Sequence, residues 1–300
     1  MKFRKTPLLS LVLVCGLAFG MFALAFPKQK GFALSKVRSP LKKSAQWEVA
    51  PLLEVEHEEL RQILAQDFKY LSAGAQCYAF LSGDGKYVLK FFKMKHFLPK
   101  RWLKYVPLPG LEKYRFRKVQ RRILRQKALF SSYKMAYEEL KDETGTVYIH
   151  LSKSSDLKVA AKLFDRTGKC SVAQLDQFEF VLQEKAQLFL DRINALMHEQ
   201  RDDEAAEAIS ALLNAVANQC KRGFIDHDSG IGHNYGFVGD RVIHFDVGRI
   251  AYDETAKAPS CYQREIVRVG KKLEEWLIVH YPELLPSLEL QINQILENES

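Results

Sequence analysis

Three hundred residues suffice for one large domain or two small ones. Hydrophobic residues make up 47% and no low-complexity run occurs, which excludes wholesale disorder. The formal charge of +9 favours acidic partners over basic ones. Five widely spaced cysteines (Cys15, Cys77, Cys170, Cys220 and Cys261) form no Cys-x-x-Cys pair. Neither a disulfide framework nor a structural zinc site is indicated, and free thiols in a reducing compartment are the expectation.

The chain opens with Lys2, Arg4 and Lys5 before the uncharged stretch Leu8–Phe26, 19 residues long. About 20 apolar residues span a bilayer. Residues 1–27 are therefore expected to form a transmembrane anchor, the alternative being a signal peptide cleaved near Ala23-Leu24-Ala25. Lys28, Lys30, Lys36, Arg38, Lys42 and Lys43 follow the span. If the positive-inside bias holds, the main domain faces the cytoplasm; after signal cleavage it would instead be exported. Residues 28–50 read as a basic linker.

A short helix is expected within Glu54–Gln66. The period then changes to two. Phe68–Leu71, Cys77–Leu81 and Tyr87–Phe92 form a three-strand meander, with turns at Ser72-Ala73-Gly74 and Gly83-Asp84-Gly85. Pro99, Pro107 and Pro109 keep residues 93–110 from being one helix. Leu111–Leu140, free of Pro and Gly, reads as a long helix. Strands are expected at Thr146–Leu151, Leu157–Leu163 and Lys169–Leu175, and helices at Phe178–His198 and Glu204–Cys220. Phe224-Ile225 precede a polar loop to His233. The hairpin Tyr235–Val238 and Arg241–Phe245 turns at Gly239-Asp240. Gln263–His280 and the residues after Pro286 close the chain as helices.

Chemistry concentrates in three places. Lys90 ends the third strand in Val88-Leu89-Lys90, where an inward ammonium needs a partner because burying it bare is costly. Gly74 lies in the first turn. The segment Asp226-His227-Asp228-Ser229-Gly230-Ile231-Gly232-His233-Asn234 is followed, across the hairpin, by Asp246-Val247-Gly248. An EF-hand does not fit, since Phe237 stands where its glutamate belongs. The spacing of His227, His233 and Cys220 matches no standard zinc site, and no P-loop occurs.

This order resembles a protein kinase over most of residues 68–250. The resemblance implies an α+β, two-lobed protein-kinase-like fold with an antiparallel-sheet N-lobe and a reduced helical C-lobe. It implies that Lys90 binds the phosphates of ATP and pairs with a helix glutamate, for which Glu138 is chosen over Glu139. Gly74 matches the middle glycine of the nucleotide loop, with Cys77 at the third position. Asp228 aligns with the catalytic base, with Asp226 as its rival. Asn234, six residues after Asp228 instead of five, and Asp246 would hold Mg²⁺. Val247 replaces the phenylalanine of the family's Asp-Phe-Gly.

After Gly248 only 52 residues remain, and Ala258-Pro259 is followed by Ser260 instead of glutamate. The peptide-docking half of the C-lobe is thus pared away. The division expected is an N-lobe at 51–177 with a basic insertion at 91–134, then a C-lobe at 178–300 holding the catalytic-loop-like segment 223–249. The insertion carries fourteen Lys/Arg against Glu112 alone, so the rest of the chain is net acidic. Such a stripe suits anionic lipid headgroups, at about 1 kcal/mol per Lys/Arg near the surface, and RNA is the other polyanion it would fit. Two functions follow: a membrane-associated kinase acting with Mg-ATP on an unidentified acceptor, or an inactive pseudokinase that binds a partner through the stripe.

Overall fold

In the computed structural model, which describes residues 31–97, 112–227 and 230–297, helix α1 (Leu34–Val37) leads to helix α2 (Glu54–Leu64). The three-strand meander follows as β1 (Asp67–Ala73), β2 (Cys77–Ser82) and β3 (Tyr87–Phe92). Strand β2 buries every second residue, as one packed sheet face requires. The β2–β3 turn closes at Gly85, whose φ of 74° suits glycine. There Ser82 Oγ donates to Asp84 Oδ1 at 2.6 Å.

Helix α3 (Glu112–Glu139) and the short α4 (Lys141–Thr144) lead back to the sheet through β4 (Thr146–His150), β5 (Ala160–Phe164), β6 (Cys170–Gln174) and β7 (Phe180–Glu184). The seven strands stand in the order β4-β7-β3-β2-β1-β5-β6. The β1–β5 pair is parallel, so the sheet is mixed and not wholly antiparallel as expected. The helix expected over 178–198 divides. Its first part is β7, β8 (Gln187–Leu188) follows, and only Phe189–His198 is helical, as α5. Phe180, Val181 and Leu182 are all fully buried. A strand covered on both faces reads as a continuous apolar run without period two, which sequence pattern cannot tell from a buried helix.

The remaining elements are α6 (Asp202–Lys221), β9 (Phe224–Asp226), α7 (Ile231–Asn234), β10 (Tyr235–Val238), β11 (Arg241–His244), β12 (Ile250–Tyr252), α8 (Pro259–His280) and α9 (Leu285–Glu297). Helices α5, α6 and α8 share a core centred on Ile193, Leu212, Leu213, Ile266 and Leu273, with Leu288 of α9 closing it. A second core joins Phe92 and Val181 of the sheet, Phe130 and Tyr133 of α3, and Phe224, Val247 and Ile250. Helix α3 therefore packs at once on the sheet and on the strands that flank the loop 223–249. The fold is α+β, a mixed seven-stranded sheet followed by a helical part.

The described part of the expected linker is built into this domain. Val37 is fully buried, Ser39 Oγ donates to Glu179 Oε1 at 2.5 Å, and Trp47 meets Phe130 edge-on at 5.4 Å. Residues 34–49 thus form a strap across α3, fixed further by Lys134 Nζ donating to Glu48 O at 2.8 Å. Among the described residues no helix is long and apolar enough to cross a membrane; the expected anchor, residues 1–27, lies outside them.

Candidate active site

A cavity of about 560 Å³ opens between the sheet and the β10–β11 hairpin. The β1–β2 turn roofs it with Ser72, Gly74 and Cys77; Lys90 and Tyr133 stand behind, and Phe245 and Asp246 form part of its floor. The local structure explains how these residues meet. Lys90 pairs with Ala79 on one side and Val181 on the other, at the centre of the sheet. The hairpin pairs Tyr235 with His244, so that Asn234 and Asp246 emerge at its open end. The Asn234 carbonyl accepts from Phe245 N–H at 2.8 Å and Asp246 N–H at 3.4 Å, which locks the two together. Gly236 lies against the Gln187 carbonyl so closely that a Cβ would not fit, and this brings the hairpin up to the strand following β7.

The Lys90 ammonium donates to the Phe245 carbonyl at 2.9 Å and lies 5.3 Å from the centre of the Phe245 ring. Burial pulls its pKa below the usual lysine value, and the Asp246 carboxylate opposes that shift. The acid that stands beside Lys90 is thus Asp246. Glu138 is elsewhere: it pairs with Lys134 at 3.7 Å and lines a different cavity, with Trp47, Arg222 and Tyr252. The α3 side chain at Lys90 is Tyr133, which lines the cavity together with Cys77. The Cys77 thiol is pushed up to about 12, chiefly by burial and against the charge of Lys90.

Gly74 lines the cavity at an exposed turn. An added Cβ would meet nothing within 4 Å, so a close ligand, not its neighbours, is what would call for glycine. Lys93 Nζ donates to its carbonyl and stacks 4.6 Å from the Tyr78 ring, tying the turn to the end of β3. Gln76 Oε1 rests on Gly248, where a Cβ would displace the Gln76 side chain.

Beneath the floor lies a buried polar network. Asn234 Nδ2 donates to Asp226 Oδ2 at 3.3 Å, and His244 Nε2 stands 3.3 Å from the same oxygen. His244 Nδ1 is 3.0 Å from Gln219 Oε1, and its ring stacks on Tyr235 at 4.4 Å. A carboxylate only accepts, so Asp226 takes the Asn234 amide nitrogen and leaves Asn234 Oδ1 on the Gly230 side. Asp226 is 6% exposed and, like Asn234, is not among the residues lining the cavity; it supports the Asn234 amide. Asp228 lies outside the described residues.

Sequence reading missed three residues here. Ser132 of α3, 2% exposed, bonds the Val247 carbonyl and, at 2.8 Å, the Ile250 carbonyl, clasping the Asp246-Val247-Gly248 segment. Tyr133 takes the place expected for an acid. Gln183, opposite Val88, lines the cavity and donates to Thr144 O at 3.1 Å. Ser132 and Tyr133 carry no sequence signal, because the rotation of α3 alone decides what they face. Gln183 was hidden in the strand read as helix. Among the described residues no group of three or more His, Cys, Asp or Glu side chains could hold a metal ion. Asn234 and Asp246 carry the amide and carboxylate groups of a donor set that fits Mg²⁺ shared with phosphates, joined here through the backbone, with Asn234 Oδ1 beside Gly230.

No protein-family model matches the chain, and no curated protein sequence matches it. Among solved structures it is similar to a high-resolution crystal structure of WbdD, at 15% identity and a TM-score of 0.38 over 75% of this chain and 45% of that one. A structure described as the bifunctional kinase-methyltransferase WbdD is similar at 16% identity and a TM-score of 0.34, over 76% of this chain and 46% of that one. The streptomycin–ATP–APH(2")-IIa ternary complex is similar at 15% identity and a TM-score of 0.25, over 84% and 92%. The chain spans less than half the length of the WbdD structures it matches.

Proposed function

We propose that the chain is a kinase-like phosphotransferase that takes Mg-ATP in the cavity beneath the β1–β2 turn. The observation that carries this reading is that Lys90 and Asp246, from separate elements, line one cavity, with Asn234 joined to Asp246 through the backbone beneath it. Lys90, held at the Phe245 carbonyl beside Asp246, would turn its ammonium to the phosphates. Gly74 would let the β1–β2 backbone approach them. Asn234 and Asp246 would hold Mg²⁺, which when bound neutralises phosphate charge. Asp228 would orient the acceptor hydroxyl. Catalysis on this plan is positioning and charge compensation, with no covalent chemistry asked of the protein.

We further infer that residues 1–27 tether the domain to a membrane, facing the cytoplasm where ATP is available, and that the basic segment 91–134 meets anionic lipid. A second reading is favoured by specific observations: Cys77 stands at a glycine position, and the α3 side chain at Lys90 is a tyrosine instead of an acid. On that reading the domain is a non-catalytic binding module. Lys90→Met separates the site assignment from the fold. It is expected to abolish binding of a fluorescent ATP analogue while leaving the circular dichroism spectrum and unfolding midpoint in place. Unchanged affinity would overturn the assignment of Lys90.

A further inference from the structure

Helix α3 has two halves of opposite character. Its outer part, Glu112–Lys127, carries eight Lys/Arg against Glu112 alone. Phe116 and Leu124 on it are 65% and 63% exposed. Phe116, Gln120 and Leu124 fall in one row four residues apart, and Arg117, Arg121 and Arg125 fill the adjoining row. Together the two rows line one shallow groove on the helix. Isolated large apolar side chains flanked by arginines on an exposed helix are what lies in the headgroup layer of a membrane. The inner part is buried: Leu129, Phe130, Tyr133 and Ala136 pack in the core, and Ser132 clasps the carbonyls of Val247 and Ile250 on either side of Gly248.

We propose that α3 is a surface-operated clamp: anionic lipid headgroups seat on the Arg117, Arg121 and Arg125 row, and the helix passes that contact to Asp246 through Ser132. The proposal rests on the nucleotide-site reading above and adds regulation to it. Two observations select lipid as the occupant. The charge of the groove complements phosphate headgroups, and the apolar stretch Leu8–Phe26, read as an anchor, holds the domain at a bilayer where solvent-facing Phe116 and Leu124 find acyl chains. The route inward is continuous. The 28 residues of α3 form one unbroken helix. Its inner end is fixed by Trp47 against Phe130, by Lys134 to the strap, and by Ser132 to the Asp246 segment. The outer half and the Ser132 contact thus belong to one rigid element, so that a headgroup seated at one end is coupled to the placement of Val247 at the other.

The test uses the full chain reconstituted in phosphatidylcholine vesicles with or without phosphatidylserine, so that the tether is constant and only surface charge varies. The affinity for a fluorescent ATP analogue is expected to rise about five-fold or more with phosphatidylserine, within the usual range of coupling between sites. Arg117→Gln combined with Arg121→Gln should remove the rise and leave the affinity in phosphatidylcholine unchanged. Ser132→Ala should remove the rise while the outer half still binds lipid, read as quenching of a probe at position 124 by brominated lipid. Nucleotide binding indifferent to phosphatidylserine overturns the clamp alone. A rise that survives Ser132→Ala overturns the route through Ser132. A rise produced by RNA and not by phosphatidylserine overturns lipid as the occupant. No nucleotide binding in either vesicle overturns the reading of the site and the clamp with it.

Discussion

The floor and the roof of the cavity are built differently. The floor is over-determined: Asn234 and Asp246 are joined through backbone hydrogen bonds, Asn234 is oriented by Asp226, and His244, held by Gln219 and Tyr235, stands 3.3 Å from that carboxylate. The roof is sparse. Gly74 touches nothing that demands glycine, a cysteine stands where the resemblance implies a glycine, and Lys90 leans on the Phe245 carbonyl with Asp246 in the same cavity wall. On the proposed reading, the side that would hold metal is thus backed by a buried network, whereas the side that would take phosphates depends on few contacts. The floor should be sensitive to single substitutions through stability, and the roof through affinity.

The largest effect is expected at Asp226. Asp226→Ala leaves the buried Asn234 amide without its acceptor, and should cost about 2 kcal/mol, measured by chemical denaturation. A cost near zero would show that the floor network is not what holds the site. At the roof, Cys77→Gly removes a side chain from the cavity and should tighten ATP-analogue binding several-fold, for a stability loss of about 1 kcal/mol. Weaker binding would mean that the Cys77–Tyr133 pair supports the nucleotide. The thiol itself supplies a check on burial. With its pKa pushed up to about 12, Cys77 is thiolate in about one molecule in ten thousand at about pH 8, since each pH unit below the pKa costs a factor of ten. Alkylation at that pH should label exposed Cys170 and spare Cys77, as peptide mass mapping would report. The smallest effect is expected at Glu138→Gln. Its ion pair with Lys134 is surface-exposed, so stability should change by less than about 0.5 kcal/mol and nucleotide affinity not at all.

The sequence made the floor more legible than the roof, for physical reasons. The Asn234-to-Asp246 spacing across a two-residue turn is a local constraint, and the hairpin formed where its pattern placed it. Lys90 was legible for the same reason, as the end of a regular meander. What α3 presents to Lys90 was not. Residues five apart on a helix point about 140° from each other, so Tyr133 facing the cavity puts Glu138 on the far side. Strand β7 escaped because both of its faces are covered, which erases the alternation that marks a strand. The strap escaped because Val37 and Trp47 sit among basic residues whose composition reads as linker, and only the packing against Phe130 shows otherwise.

The central claim, that this cavity binds nucleotide through Asp246 with Mg²⁺, is tested most directly by calorimetric titration with a non-hydrolysable ATP analogue, with and without Mg²⁺, on the unmodified chain and on Asp246→Asn. The account predicts binding that depends on Mg²⁺ and is lost in the variant. Binding that ignores both Mg²⁺ and the substitution, or no binding at millimolar nucleotide, would contradict it.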